Sequence, residues 1–331
     1  MRVSRERAET VAGEFLIAAG AGAEEAALVA RNLVQADMRG IHTHGINFLP
    51  KIAARLSEGM LEIPTKPKII SSDGAVCHID GRNGFGQVAG DMAMKCAMNH
   101  AGEYGIGMSL VRNTNHIGLL AFYSMMAADN GLIGYCMSTS APSMAPWGGT
   151  EPFFGTNPFS VAAPSGEDFP IVLDMSTSVV ARGKIRKALK NGEKIPLEWA
   201  FGPDGKPTDD PAQAMKGTLM PVGGPKGYGM AFFVDLICGI LSGSQFSREI
   251  KTFHKPLGPT GVGAMMVAID IERFMPIERF RSLVRNHVGA IHASARSTGT
   301  ERIYLPGEIE AELQARAERE GVMGLSCPCR C

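Results

Sequence analysis

Gly84-Phe-Gly-Gln-Val-Ala-Gly90 is the stretch on which the reading of the fold turns. It follows a short run of strand character, Ala75 to Ile79, and opens an alanine- and methionine-rich helix expected over Gln87 to Tyr104. A dinucleotide-binding fingerprint would sit in such a place. Two features break the match. The third glycine falls one residue late, and the next strand, Met108 to Val111, runs into Arg112-Asn113 where an acid should hold a ribose. The loop is therefore read as a decoy, and no Walker loop or nucleophile elbow appears elsewhere in the chain.

Working outward, residues 4–38 read as two helices, the first capped by Ser4, the second carrying Leu28, Val29, Leu33 and Val34 at helical spacing. A polar loop from Gly40 to Gly45 precedes a third helix over Leu49 to Glu58. Downstream, a helix over Leu119 to Ala128 leads to a buried strand, Leu132 to Ser138. Ser140 to Pro164 is dense in loop formers, Ile171 to Leu173 is a strand running into Asp174, and Lys184 to Lys216 is polar and turn-rich. An apolar helix over Tyr228 to Leu241, a strand over Val262 to Ile269 and helices over Pro276 to Ser294 and Glu308 to Glu320 complete the chain. Strands alternate with helices in the middle and helices dominate both ends, the pattern of an α/β protein with a helical lobe.

Bulk properties narrow the partner. At 331 residues the chain exceeds one ordinary core. Lys+Arg and Asp+Glu balance at 33 each, so no net field draws it to nucleic acid or an anionic membrane; a small molecule is the expected partner. The charged N-terminus lacks a signal peptide's apolar core, and the run Met230 to Leu241, which carries Asp235, is too short to span a bilayer. Seven cysteines without framework spacing read as reduced thiols, and the expected location is the cytoplasm.

Three places bear chemistry. His116, in Asn113-Thr-Asn-His-Ile-Gly118, lies just past a strand end, where ligands collect in open α/β sheets. Imidazole titrates near working pH, so it reads either as a proton-transfer residue or as a structural histidine. His42-Thr43-His44 sits between glycines and reads as a binding loop or a helix-terminating turn; no further ligand at helical spacing makes it a zinc site. Gly223-Gly-Pro-Lys-Gly-Tyr-Gly229 places four glycines and Lys226 at the start of an apolar helix, an anion cradle or a plain surface turn. Asp174-Met175-Ser176 adds polar atoms suited to ribose hydroxyls, or a simple cap.

Taken in order, Ala36-Asp-Met-Arg-Gly-Ile-His-Thr-His-Gly45, Asn115-His-Ile-Gly118, Pro146-Trp-Gly-Gly149, Phe154-Gly-Thr-Asn-Pro158, Leu173-Asp-Met-Ser-Thr177, Ala181-Arg-Gly-Lys184 and Gly224-Pro-Lys-Gly-Tyr-Gly229 resemble the malate/L-lactate dehydrogenase type 2 family over roughly residues 1–320. That family also holds ureidoglycolate, sulfolactate, diketogulonate and piperideine-carboxylate enzymes. The resemblance implies a non-Rossmann mixed β-sheet cofactor domain at 119–272, a helical substrate and dimerisation domain built from 1–118 and 273–331, and a homodimer. It implies NAD or NADP as cofactor, held by Ser140, Asp174, Met175, Ser176 and Lys226, with His116 as general acid/base. Thr43, His44, Thr156 and Asn157 fall on the substrate side, and Arg182 or Arg186 are candidates for a cofactor 2′-phosphate. The reaction implied is hydride transfer between NAD(P)H and a small 2-oxo or 2-hydroxy acid, or reduction of a cyclic imine beside a carboxylate.

Two departures stand out. Many members carry an arginine three residues after the loop's glycine, able to fork onto the substrate carboxylate; here the residue is Phe48. The tail Met323-Gly-Leu-Ser-Cys-Pro-Cys-Arg-Cys331 is unlike the family's final helix and points to a truncated or frame-shifted end, with Cys327, Cys329 and Cys331 in a disordered tail rather than a metal site. Two other classes stay in view: a metal-dependent hydrolase or lyase using His42, His44 and His116, and a binding protein without turnover.

Overall fold

The computed structural model describes residues 2–323, so the three tail cysteines lie outside the described residues. Its centre is a seven-stranded mixed sheet. Strand β1 (Arg2–Val3) pairs with the far end of the chain and stands apart from that sheet; β2 (Lys68–Asp73), β3 (Val76–Asp80), β4 (Ile106–Thr114), β5 (Leu132–Ser138), β6 (Phe159–Ala163) and β7 (Ile171–Met175) belong to it. A small ribbon, β8 (Ala200–Phe201) with β9 (Thr218–Leu219), comes next, then β10 (Val262–Asp270) and β11 (Val322–Met323), the partner of β1. The spatial order is β2-β3-β4-β10-β5-β6-β7. Among the described residues β3 and β4 form the one parallel pair in this sheet, and its other neighbours run antiparallel.

The helices are α1 (Arg5–Ala18), α2 (Ala23–Met38), α3 (Leu49–Ser57), α4 (Gly86–Tyr104), α5 (Ala121–Asp129), α6 (Arg182–Asn191), α7 (Pro211–Lys216), α8 (Pro225–Val234), α9 (Ile277–His292) and α10 (Glu308–Glu320). Ser4 caps α1 as its sequence implies, accepting from the Arg7 N–H. The first three helices bury one core of their own, built on Leu16, Leu33, Met38, Leu49 and Ile52. Helix α4 crosses between the parallel strands β3 and β4 and lies on the sheet through Ala89, Ala93, Ala97 and Ala101, one small residue per turn. A Cβ on Gly107 of β4 would stand 2.0 Å from the Ala97 carbonyl oxygen, so only glycine permits this spacing.

The sheet takes β2, β3 and β4 from before residue 118 and β5, β6, β7 and β10 from after it. A domain boundary at 118/119 therefore cuts between hydrogen-bonded strands, and the expected division is corrected there. The helical lobe of residues 5–57 is joined from the chain's far end by α10, whose Ala317 packs against its core and whose Gln314 accepts from Arg39, and by Val322. Two strands of this sheet escape the sequence reading, as do the two-residue strands β1, β8, β9 and β11 outside it. β2 is exposed at every position, an edge strand without a buried face, and β6 lies inside the loop-forming stretch 140–164. The apolar helix expected to run to Leu241 does so, but from Asp235 it continues as a π-helical turn.

Candidate active site

His116 follows the end of β4, and the sequence around it is built to hold it still. The Asn115 amide donates to the carbonyls of Asn83 and Gly84 (2.9 and 3.0 Å) and accepts from the Thr260 hydroxyl (3.0 Å). The Tyr123 hydroxyl donates to the Ile117 carbonyl at 2.5 Å, and the Leu119 N–H donates to the buried Asn32 side chain at 3.0 Å. The glycines of the false fingerprint take their meaning here. A Cβ on Gly86 would meet the carbonyl oxygens of Asn115 and His116 at 2.4 and 2.5 Å, and one on Gly90 would press on Tyr123 at 2.9 Å. They let the start of α4 touch the backbone that carries the histidine, rather than a pyrophosphate.

The His116 ring stacks on Phe48 (centroids 4.6 Å apart) and on His44 (5.3 Å), with Phe253 at 5.8 Å. Its Nδ1 accepts the Gly118 N–H at 3.2 Å, so the neutral ring carries its proton on Nε2. Burial, then the charges of His44, His254 and Lys51, hold His116 well below the ordinary histidine range. Burial and Lys51 push His44 down to about 4; burial, Lys51, Arg186 and His44 do the same for His254, also to about 4. Lys51, whose Nζ sits 4.7 Å over the Phe48 ring, is itself lowered by burial and by Arg186. No carboxylate is among the charges acting on any of these four groups. At neutral pH the site is a set of uncharged imidazoles beside unbalanced positive charge.

The loop carrying His44 is tied down from beneath. Asp37, buried, accepts from the Ile46 N–H (2.7 Å) and contacts His42 Nδ1 (2.9 Å), and a Cβ on Gly45 would overlap its carboxylate. His42 is thus drawn to Asp37, and among the described residues no three His, Cys, Asp or Glu side chains group as a metal site. Thr43 bonds His44 Nδ1 at 2.9 Å and reaches α6, where a Cβ on Gly183 would meet its methyl at 2.6 Å.

The expected cofactor residues fall in two groups. Ser140 Oγ meets Thr156 Oγ1 (3.3 Å), the Thr156 carbonyl accepts from Thr177, and the Thr177 carbonyl accepts from Val222 in the turn before Lys226. Ser140, Thr156, the end of Asp174-Met175-Ser176 and the glycine loop thus form one connected rim. Asp174 itself turns elsewhere: it accepts the Ala121 N–H at the start of α5 and lines a cavity of about 170 Å³ with Arg39, Ala121, Gly307 and Glu310. Burial pushes its carboxyl up to about 6. The sequence reading gave no role to Arg39, although it lies within the Ala36–Gly45 motif, and had no signal for Gly307 or Glu310. It also missed Lys51, Phe253 and His254 beside His116.

Three expectations need correction. Asn157 is fully buried, its carbonyl taking the Ser140 N–H (3.1 Å) and its amide giving to the Ala231 carbonyl (2.9 Å); it braces the loop against α8 instead of reaching substrate. Arg182 gives its two terminal nitrogens to the carbonyls of Met215 and Gly217, which ties the guanidinium to the protein's own backbone. The glycine loop offers fewer free N–H groups than its sequence suggests, because Gly224 and Gly227 donate to Pro221 and Val222 within the turn.

Comparison with known proteins shows the family. The family model for malate/L-lactate dehydrogenase matches residues 3–324. Malate dehydrogenase of Pyrococcus horikoshii is 37% identical, the match covering 98% of this chain and 97% of that protein. Delta(1)-pyrroline-2-carboxylate reductase of Ancylobacter novellus is 32% identical over 96% of this chain and 98% of its own length. The crystal structure of malate dehydrogenase from Entamoeba histolytica superposes with a TM-score of 0.93 at 33% identity, covering 97% of this chain and 93% of that one. The chain belongs to the malate/L-lactate dehydrogenase family of oxidoreductases.

Proposed function

We propose that this protein is a nicotinamide-dependent dehydrogenase that interconverts a small 2-hydroxy acid and its 2-oxo acid, with His116 exchanging the proton. The observation that carries the reading is the positive charge, with no carboxylate acting beside it among the described residues, around a half-buried, braced histidine. An anionic substrate supplies the missing countercharge. By the same Coulomb argument it raises the imidazoles toward the range in which His116 holds a second proton. In reduction His116 gives that proton to the substrate oxygen and ends neutral; in oxidation the neutral ring takes the hydroxyl proton. Thr43 and His44 orient the substrate from the loop above, and Thr156 does so from the rim.

A bound nicotinamide cofactor supplies or accepts the hydride. The residues present fit one: Arg39 Nε is buried without a partner at the Asp174 cavity, and hydroxyls line the Ser140 rim. In this reading Asp174 holds ribose hydroxyls, Met175 and Ser176 border the chain between the two groups, and Lys226 meets phosphate. Asp174 and Glu310 would repel a 2′-phosphate, which favours NAD over NADP. A cytoplasmic homodimer belongs to the same reading, supported by the apolar stripe Phe232, Phe233, Ile240 and Leu241 exposed on α8 and its π-helical extension. Reduction of a cyclic imine is the second reading, favoured by the pyrroline-carboxylate relative; there the proton goes to nitrogen.

The test follows reduced-nicotinamide absorbance with NADH and NADPH over pyruvate, oxaloacetate, other 2-oxo acids and cyclic imines. His116→Ala should lose about 10²–10⁴-fold in turnover while cofactor fluorescence titration is retained. Turnover on no member of the panel, or wild-type turnover in His116→Ala, would refute the reading.

A further inference from the structure

The residue at position 48 faces His116 but is a phenylalanine, and a neutral ring cannot hold a carboxylate by charge. Charge is nevertheless present. Lys51 stands one turn further along α3, on the same face as Phe48, and its ammonium lies over the Phe48 ring at 4.7 Å. Phe48 in turn is stacked on His116, and a second aromatic, Phe253, packs against both rings, 5.2 Å from Phe48 and 5.8 Å from His116. Lys51 is half-buried, and among the described residues no carboxylate acts on it. The other cations nearby differ. Arg55 gives its guanidinium to the carbonyls of Lys255 and Gly258 and lies over Phe253. Arg186 acts on Lys51 and His254 but is not among the groups acting on His116 or His44.

Resting on the reading above, we infer that Lys51 is the residue that anchors the substrate's carboxylate, held over the Phe48 ring so that the neighbouring carbonyl falls at His116. Phe48 keeps two tasks, seating the ammonium through its π face and fixing the imidazole plane. A lysine binds as a compact point charge where an arginine would bind through a fork. The carboxylate is therefore held by attraction with less control of its plane, and the site should accept a wider range of 2-oxo acids.

The probe is oxamate, an unreactive isostere of pyruvate, titrated by calorimetry into the full-length protein with NADH or NADPH present. Wild-type protein should bind it. Lys51→Met should weaken binding at least about 30-fold, and Lys51→Arg should stay within a few-fold of wild type. Both variants should keep the wild-type melting temperature within a few degrees and the wild-type cofactor titration. Oxamate binding by Lys51→Met equal to wild type overturns the assignment, and so does a wild-type protein that fails to bind oxamate with either cofactor. Because this readout needs no turnover, it separates from failure of the catalytic reading: a protein that binds oxamate through Lys51 yet reduces nothing would sink only the latter.

Discussion

His116 shows how far a side chain's role depends on its surroundings. In the sequence it is a histidine past a strand end, and nothing local separates a structural ring from a working one. In the fold it is braced through Asn115, Ile117 and Gly118, stacked on Phe48, and surrounded by positive charge. The charge sets a pH signature. Oxidation needs the neutral ring, and a histidine held below its ordinary range is neutral throughout the neutral region. The acid limb of kcat/KM for the hydroxy acid is therefore expected well below pH 6.5, and Lys51→Met, by removing a positive charge, should move that limb upward. A limb at the ordinary histidine position in wild type, unmoved in the variant, would contradict this account. Lys51 was missed in the sequence: its three-residue spacing from Phe48 was the one signal there, and the charges around it are displayed only by the fold.

Among the elements, α4 and its glycines carry the clearest lesson. The sequence reading set the loop aside as a pyrophosphate site, and a physical reason for its glycines lies in a contact between segments that the sequence does not display. Gly86→Ala should force α4 away from the Asn115 and His116 carbonyls, costing roughly 1–3 kcal/mol of stability. Because the displaced backbone carries His116, turnover should fall by about 10²-fold or more, with cofactor binding less affected. Wild-type kinetics and melting in Gly86→Ala would show that the contact is unimportant. Helices with long apolar or alanine faces were readable, and the strand Leu132–Ser138 appears at its expected bounds. β2, with no buried face, left no periodic signal to read, whereas Ile185, Ala188 and Leu189 of α6 do fall at helical spacing and were passed over inside a stretch read as polar and turn-rich. In the fold β2 is held by pairing with β3, and α6 by burying Ile185 and Ala188 with Ala214 and Leu219.

At the scale of the whole molecule, the α/β class with a helical lobe follows from the alternation of elements and the mixed sheet from the family resemblance, whereas the sheet's membership follows from neither. The antiparallel strand β10 is inserted between β4 and β5, so the sheet joins segments on both sides of residue 118. The apolar stripe on α8 belongs to this scale as well. Phe233 is 61% exposed and Leu241 60% exposed, more than a solitary surface residue explains. Sedimentation should find a dimer for the wild-type chain and a folded monomer for Phe233→Asp; a monomeric wild type would remove the stripe's assignment. The molecule carries 33 basic and 33 acidic residues, yet concentrates unpaired positive charge beside His116. With no net charge to attract anions from afar, discrimination among them begins only inside the pocket, within a Debye length of Lys51. Phosphate, citrate and sulfate then compete there on the same terms as substrate. An apparent Michaelis constant is consequently a joint property of enzyme and buffer, and kinetic comparisons hold only in solutions free of multivalent anions.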